Sequence, residues 1–455
     1  MAFDVIILAA GKGERMNSKI PKVLHRVLGR PMIDYVVRRA LSLEPDRVIV
    51  VVGEKKEEVM SCLSTYPVLF AFQEEQRGTA HAVLCAEGLV GSDHLLVLYG
   101  DTPLIEEGIL RDLLEFYWRA PSPVFVITEL ADPKGYGRVS MEGERIRRII
   151  EESEATGPER DIRVVNTGIL MLPRHHLHLL LEIKGENRKG ELYITDLPSI
   201  AEERGLQVRA FFSKAHESLM GVNTKEELLM ANLVMKRRIA RRHLENGVIL
   251  LDENVYIEES VKIGRDTTVY PNTYLLGATE IAEDVQIGPD VTIRDSKIGK
   301  GARIERFSFI EGCEIEEGVV VGPFSRIRPK TYLRRGVRIG NFVEVKNSII
   351  EENTKANHLT YIGDAEVGRD VNIGAGTITC NFDGIRKHRT VIEDGAFVGS
   401  NVELVAPVRV GKEAIVGAGS TITKDVPEGA LAVTRVPQRH IPDYRRRRHV
   451  RDSGV

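Results

Sequence analysis

Cysteine is scarce, long apolar runs are missing and net charge is close to zero, and each shortage removes a class of protein. The four cysteines, Cys62, Cys85, Cys313 and Cys380, stand far apart with no CxxC spacing. That pattern gives neither a zinc site nor a disulfide framework, and it fits a reducing compartment. No apolar stretch approaches the roughly 20 residues that cross a bilayer. The opening run Val5-Ile6-Ile7-Leu8-Ala9-Ala10 is too short for a secretory signal, and no charged segment precedes it. A cytoplasmic location is therefore expected, without a membrane partner. A formal net charge of −3 gives no global attraction for nucleic acid. The exception is the tail Arg445-Arg446-Arg447-Arg448-His449-Val450-Arg451, expected to be a solvated, frayed end.

What is present is length and order. A chain of 455 residues exceeds one ordinary core, so two or three domains are expected. Hydrophobic residues at 42% and charged residues at 28% suit a soluble globular protein. In the first half, Val5–Ala10, Arg47–Val52, His94–Leu98 and Val124–Leu130 read as buried strands. Helical patterns such as Met32–Leu43 and Ile109–Tyr117 lie between them. This alternation predicts a Rossmann-like α/β domain with a mostly parallel, twisted sheet. Ligands of such sheets bind beyond the carboxyl ends of the strands, where the chain places Gly11-Lys12-Gly13 and Tyr99-Gly100-Asp101.

A joining helix is predicted next. Thr224 and Glu227 form a Thr-x-x-Glu capping box, and helical spacing of Leu228, Ala231, Met235 and Ile239 runs on to Leu244 and Gly247. Its basic residues read as a snorkelling face. Beyond Gly247 the chain becomes periodic, with Ile257, Ile263, Val269, Leu275, Ile281, Ile287 and Ile293 six apart. The series resumes at Ile298 and again at Ile392. A six-residue repeat predicts a parallel β-helix, a triangular prism with an aliphatic interior and small residues at its corners. Two interruptions, around 351–361 and 380–390, are expected to be loops that carry function. The domains are therefore placed at 1–225, 226–246 (the joining helix) and 247–455.

The sharpest motif is Leu8-Ala9-Ala10-Gly11-Lys12-Gly13-Glu14-Arg15-Met16 followed by Pro21-Lys22. A glycine turn lets backbone N–H groups approach a phosphate or base, and Arg15 and Lys22 supply positive charge for a triphosphate. Neither the GxGxxG dinucleotide fingerprint nor the P-loop pattern is present. The string resembles the signature of sugar-1-phosphate nucleotidylyltransferases. With the hexads, nearly the whole chain from Val5 to Gln438 resembles the bifunctional N-acetylglucosamine-1-phosphate uridylyltransferase/glucosamine-1-phosphate acetyltransferase family.

The resemblance implies an enzyme of UDP-N-acetylglucosamine biosynthesis, with a left-handed β-helix, a homotrimeric assembly and two active sites. For uridylyl transfer it implies nucleotide contacts from Leu8, Ala9, Ala10 and Gly11, uracil reading by Gln73, Gly78 and Thr79, and further substrate contacts at Tyr99 and Gly100. It implies Mg²⁺ on Asp101 and Asn223, catalytic roles for Lys22 and Arg15, and sugar contacts from Gly137, Glu151 and Asn166. From the residues alone, the ordinary reading is that Asp101 caps a turn and Asn223 is a local turn former. Glu14 stands where the family commonly has threonine.

For acetyl transfer the resemblance implies His358 as the base, Arg328 and Lys346 on the sugar phosphate, and Tyr361 and Asn372 on the sugar. It also implies acetyl-CoA contacts from Ala375, Asn381, Phe382, Ser400, Ala418 and Arg435. Phe382 stands where the compared members have tyrosine. Read alone, His358 could be structural, and Arg328 and Lys346 an exposed solenoid face. The expected substrates are UTP, N-acetylglucosamine 1-phosphate, glucosamine 1-phosphate and acetyl-CoA. The alternative is a sugar-1-phosphate nucleotidylyltransferase with a regulatory or oligomerising β-helix.

Overall fold

The structure, a computed structural model, describes residues 2–188 and 190–445. The basic tail beyond Arg445 lies outside the described residues. The chain divides into two compact units, Met1–Arg238 and Ile239–Val455.

The first unit is built on a nine-stranded sheet in the order Leu69–Phe72, Arg47–Val52, Asp4–Leu8, His94–Tyr99, Val164–Pro173, Val124–Glu129, Val208–Phe212, Arg145–Ile150, Arg138–Glu142. The first four strands are mutually parallel. Strand Val164–Pro173 then runs antiparallel to both neighbours, and Arg138–Glu142 and Arg145–Ile150 form an antiparallel pair. The parallel core is the part announced by continuous apolar runs, because helices cover both of its faces. Alternate residues show this. Ile6, Ile49 and Val97 pack with Ala80 and Val83 on one side. Val5, Val50 and Leu98 pack with Ile33, Val36 and Leu110 on the other.

The joining helix spans Lys225–Glu245, and the boundary between the units falls within it. Its start is capped as the sequence predicts. Thr224 Oγ1 accepts from the Glu227 N–H at 3.1 Å, and Glu227 Oε2 accepts from the N–H groups of Asn223 and Thr224 at 2.6 and 3.0 Å. Within the first unit, Asn232 Oδ1 accepts from the Leu28 N–H at 3.0 Å, and Arg238 donates to Leu104 O at 2.6 Å.

The second unit is a left-handed parallel β-helix whose three faces are sheets of 11, 10 and 9 short strands. Each hexad aliphatic residue stacks on its equivalent one coil away, as in Val269–Ile287–Ile304–Val321–Ile339. All of these are buried, at roughly 1.5–3 kcal/mol for each fully buried aliphatic side chain.

Two features differ from the expectation. The first interruption is no insertion, because the column continues from Ile339 to Ala356 to Ile373. Alanine fills the interior slot, so a search for large aliphatics loses the register there. His358 consequently ends a regular strand, Lys355–His358. The second interruption is a real loop, accommodated between Ile373 and its partner Val398. The corners also hold more than small residues: Phe307, Phe324 and Phe342 all have left-handed backbone, at φ near 57–58°. Their rings stack at centroid distances of 4.9 and 5.3 Å, which offsets part of that conformational cost.

Candidate active sites

In the first unit the site forms where the parallel strands end. Strand Asp4–Leu8 delivers Ala9, Ala10 and Gly11, and His94–Tyr99 delivers Gly100 and Asp101, with the Gly100 N–H bonded to Leu8 O at 2.9 Å. A Cβ at Gly11 would meet no protein atom within 4 Å, so the backbone there is open to a ligand. Gly13 is different. Its φ is +68°, and a Cβ would lie 2.6 Å from Lys22 Cβ, so glycine is what lets the loop fold against Lys22.

Lys22 is the hub. Its Nζ pairs with Asp101 Oδ2 and donates to Asn223 Oδ1 at 3.1 Å, while Arg15 donates to the same Asn223 oxygen at 2.9 Å. All four residues assigned to metal and phosphate chemistry are thus brought together from positions up to 208 apart in sequence. One ammonium reaches both oxygens, so a single cation can sit between them. A carboxylate and an amide oxygen are the hard donors that Mg²⁺ takes, leaving other positions for phosphate oxygens and water.

Beside this centre, Gln73 is buried and its Nε2 donates to Gly78 O at 2.9 Å. Gly78 has φ +113°, and a Cβ would strike Leu192 O at 2.5 Å. Thr79 Oγ1 accepts from the Ile194 N–H at 3.0 Å. Segment 192–194 therefore backs the turn at Gly78 and Thr79. Thr195 donates to Glu151 Oε1 at 2.7 Å, and the Asn166 N–H bonds Gly137 O at 2.9 Å. Burial, then the Glu151 charge, pushes the Tyr99 phenol well above its usual range.

In the second unit, one corner of the prism carries a column. The Leu359 N–H bonds Asn341 O, the Gly376 N–H bonds Leu359 O, the Asn401 N–H bonds Ala375 O, and the Gly419 N–H bonds Ser400 O. His358 therefore stands one coil before Ala375, and Ser400 and Ala418 follow on the next two coils. Arg435 closes against Gly417 and Gly419, its atoms 3.9–4.0 Å from where a Cβ would stand on each. His358 is exposed, and its Nδ1 lies 2.8 Å from Asn341 Oδ1. An amide oxygen only accepts, so Nδ1 carries the hydrogen and Nε2 is left as the basic nitrogen.

The adjoining face gathers charge. The Arg328 N–H bonds Val345 O, and Lys346 pairs in register with Gly363, so Arg328 and Lys346 ride on successive coils. Arg328 is paired with Glu344 at 2.8 Å. Lys387, from the inserted loop, reaches Lys346. Its proximity first, then burial, then the Arg328 charge lowers the Lys346 pKa. Asp364 is the nearby counter-charge, but its carboxylate is bonded by Asn347 and Asn381. Arg328, Lys346 and Lys387 are thus gathered into one cluster of cations. Tyr361 pairs in register with Glu344, Asn372 faces outward between Lys355 and Phe397, and Phe382 is exposed on the loop.

Comparison with known proteins bears on both sites. The MobA-like NTP transferase domain family matches residues 5–193, and the bacterial transferase hexapeptide family matches residues 389–424. The bifunctional protein GlmU of Thermodesulfovibrio yellowstonii is 44% identical over 441 residues, covering 96% of this chain and 98% of the relative. That of Aromatoleum aromaticum is 46% identical, covering 97% and 98%. That of Thermus thermophilus is 46% identical, covering 96% and 97%. The chain belongs to the GlmU family.

Sequence reasoning on GlmU motifs missed residues that the fold supplies. Asn341 orients His358 and Lys387 completes the cation cluster. Gln76 donates to Ala10 O at 2.6 Å, holding the loop that leads into Gly11. Tyr136 has its phenol pushed up to about 12 by burial, then by Glu227 and Asp101, and it accepts a backbone hydrogen bond from Gly221 beside Asp101 and Asn223. Lys387 had a signal, since it lies in the interruption already read as functional. Gln76, between Gln73 and Gly78, and Tyr136, beside Gly137, also lie in strings that carry expected site residues; Asn341 had no signal, because only tertiary contact gives it a role.

Proposed function

We propose that this chain makes UDP-N-acetylglucosamine in two transfers at two separate sites. In the second unit, His358 Nε2 takes a proton from the glucosamine 1-phosphate amine as its nitrogen bonds the acetyl carbonyl carbon. The C–S bond of acetyl-CoA then breaks and coenzyme A leaves with a proton. Arg328, Lys346 and Lys387 bind the sugar phosphate, with Tyr361 and Asn372 on the sugar. Ala375, Asn381, Phe382, Ser400, Ala418 and Arg435 flank the coenzyme. A general base of this kind contributes about 10²–10⁴-fold.

In the first unit the phosphate oxygen of N-acetylglucosamine 1-phosphate bonds the α-phosphorus of UTP. The α–β phosphoanhydride bond breaks and pyrophosphate leaves. Bound at Asp101 and Asn223, Mg²⁺ would neutralise phosphate charge. Lys22 and Arg15 neutralise the remainder, Gln73, Gly78 and Thr79 hold the uracil, and Gly137, Glu151 and Asn166 hold the sugar. Positioning and charge carry the rate without a protein nucleophile. We further infer a cytoplasmic homotrimer assembled through the β-helix. Among the described residues, no helix is long and apolar enough to cross a membrane.

The observation that carries this reading is the segregation of the two residue sets. The Lys22–Asp101–Asn223 centre lies wholly in one unit, and the His358 column with its cation cluster lies wholly in the other. The test is product analysis of Asp101→Asn and His358→Ala with glucosamine 1-phosphate, acetyl-CoA, UTP and Mg²⁺. Asp101→Asn should stop at N-acetylglucosamine 1-phosphate. His358→Ala should lose acetylation by about 10²–10⁴-fold yet still uridylylate supplied N-acetylglucosamine 1-phosphate. Loss of both activities in either folded variant would refute independent sites.

A further inference from the structure

Gln73 is read above as the residue that meets the uracil, but an amide can present either of two opposite faces to a base. With its oxygen forward it accepts from N3–H of uracil. With its nitrogen forward it donates, and then it matches N3 of cytosine, which is an acceptor. Base choice therefore depends on what fixes the amide.

Two contacts fix it. Gln73 Nε2 lies 2.9 Å from Gly78 O and 3.1 Å from His81 Nδ1. A backbone carbonyl can only accept, so the atom facing Gly78 must be the nitrogen. The second amide hydrogen then meets His81 Nδ1, which must be unprotonated. The hydrogen of the neutral imidazole accordingly sits on Nε2, 3.8 Å from Cys85 Sγ. His81 and Cys85 are one turn apart on the helix Thr79–Cys85, which begins directly after Gly78. Both amide hydrogens are spent on the protein, and Oε1 is the group left for a ligand.

We propose that His81 is a positioning residue that sets nucleobase choice, locking the Gln73 amide with its oxygen toward the base. This rests on the reading of Gln73 as the uracil contact. Without an acceptor at Nδ1, one anchor of the amide is lost and only Gly78 O remains. The nitrogen-forward orientation is then opposed by Gly78 O alone, and cytosine is rejected less strongly. The loss of one neutral hydrogen bond sets the scale, about threefold to tenfold.

The experiment measures kcat/KM for UTP and for CTP in the full-length enzyme, with N-acetylglucosamine 1-phosphate and Mg²⁺, by pyrophosphate release. His81→Phe keeps a ring but removes the acceptor, and the UTP:CTP ratio should fall about threefold to tenfold. His81→Asn places an amide oxygen close to the position of Nδ1 and should hold the ratio within about twofold of the unaltered enzyme. If His81→Phe does not fold, His81→Leu carries the same expectation. A merely structural role would lower both nucleotides alike, so an unmoved ratio in the acceptor-free variant overturns the proposal. Gln73→Leu separates the two levels. If it leaves the ratio unchanged, the uracil reading itself fails. If it collapses the ratio while His81→Phe does not, only the role of His81 fails.

Discussion

Replacing Asn341 by leucine should slow acetyl transfer and leave uridylyl transfer untouched. Asn341 makes no substrate contact in the proposed mechanism, and its place is set by the pairing of strand Arg338–Asn341 with Lys355–His358. Its Oδ1 accepts from His358 Nδ1 at 2.8 Å. That bond keeps the basic nitrogen forward and strengthens as the ring becomes cationic. A hydrogen bond to a charged group contributes about 1.5–3 kcal/mol when shielded. His358 is exposed, so water replaces part of the loss, and about 0.5–1.5 kcal/mol is the appropriate scale. That corresponds to about a twofold to twelvefold fall in kcat. Release of the coenzyme A thiol follows the first reaction and pyrophosphate release the second. Asn341→Asp keeps an acceptor and should stay closer to the parent rate. An unchanged acetyl-transfer kcat in Asn341→Leu would refute the orienting role, as would an equal loss in both reactions.

The cation cluster makes Lys387→Ala a binding variant: KM for glucosamine 1-phosphate should rise about tenfold, the loss of one charge-assisted bond, with less change in kcat, and a kcat-only effect would count against phosphate binding. A chain ending at Glu245 should be monomeric by sedimentation and keep uridylyl transfer without acetyl transfer. One ending at Thr224 loses the Leu28–Asn232 and Arg238–Leu104 bonds and should unfold at lower denaturant. The uridylyl site should prefer N-acetylglucosamine 1-phosphate over glucosamine 1-phosphate by about tenfold to hundredfold for each buried partner left unpaired; equal pyrophosphate release from both sugars, without acetyl-CoA, would refute acetylation as the first step.

The fold was legible wherever burial writes a period. Strands covered on both faces read as apolar runs, so Arg47–Val52 lies where the composition places it. The prism reads as hexads because every sixth side chain must fill the same interior. Legibility fails where that demand relaxes. Ala356 satisfies the interior slot with a small side chain, so a regular coil looks like a break. Strands Arg138–Glu142 and Arg145–Ile150 carry arginines within them and give no apolar run. Strand Val164–Pro173 inserts antiparallel between two earlier strands, an order that no local pattern encodes.

The sites divide along the same line. Residues expected to touch ligand sit in local strings whose shape is fixed by near neighbours, such as the Gly13 turn against Lys22, and those strings can be recognised one at a time. The partners that aim them are set by topology. Asn341 meets His358 because each coil returns to the same corner. Arg15 and Lys22 meet Asn223 because the chain re-enters the mouth of the sheet some 200 residues later. His81 is the informative middle case. It lies eight residues from Gln73, just beyond Thr79 and Ala80, yet nothing in the local sequence says that the imidazole must accept. That follows only from the Gly78 carbonyl, which forces the amide nitrogen toward it. A motif therefore names the atom that touches the substrate, while the polarity that the atom presents is decided by contacts the motif does not encode.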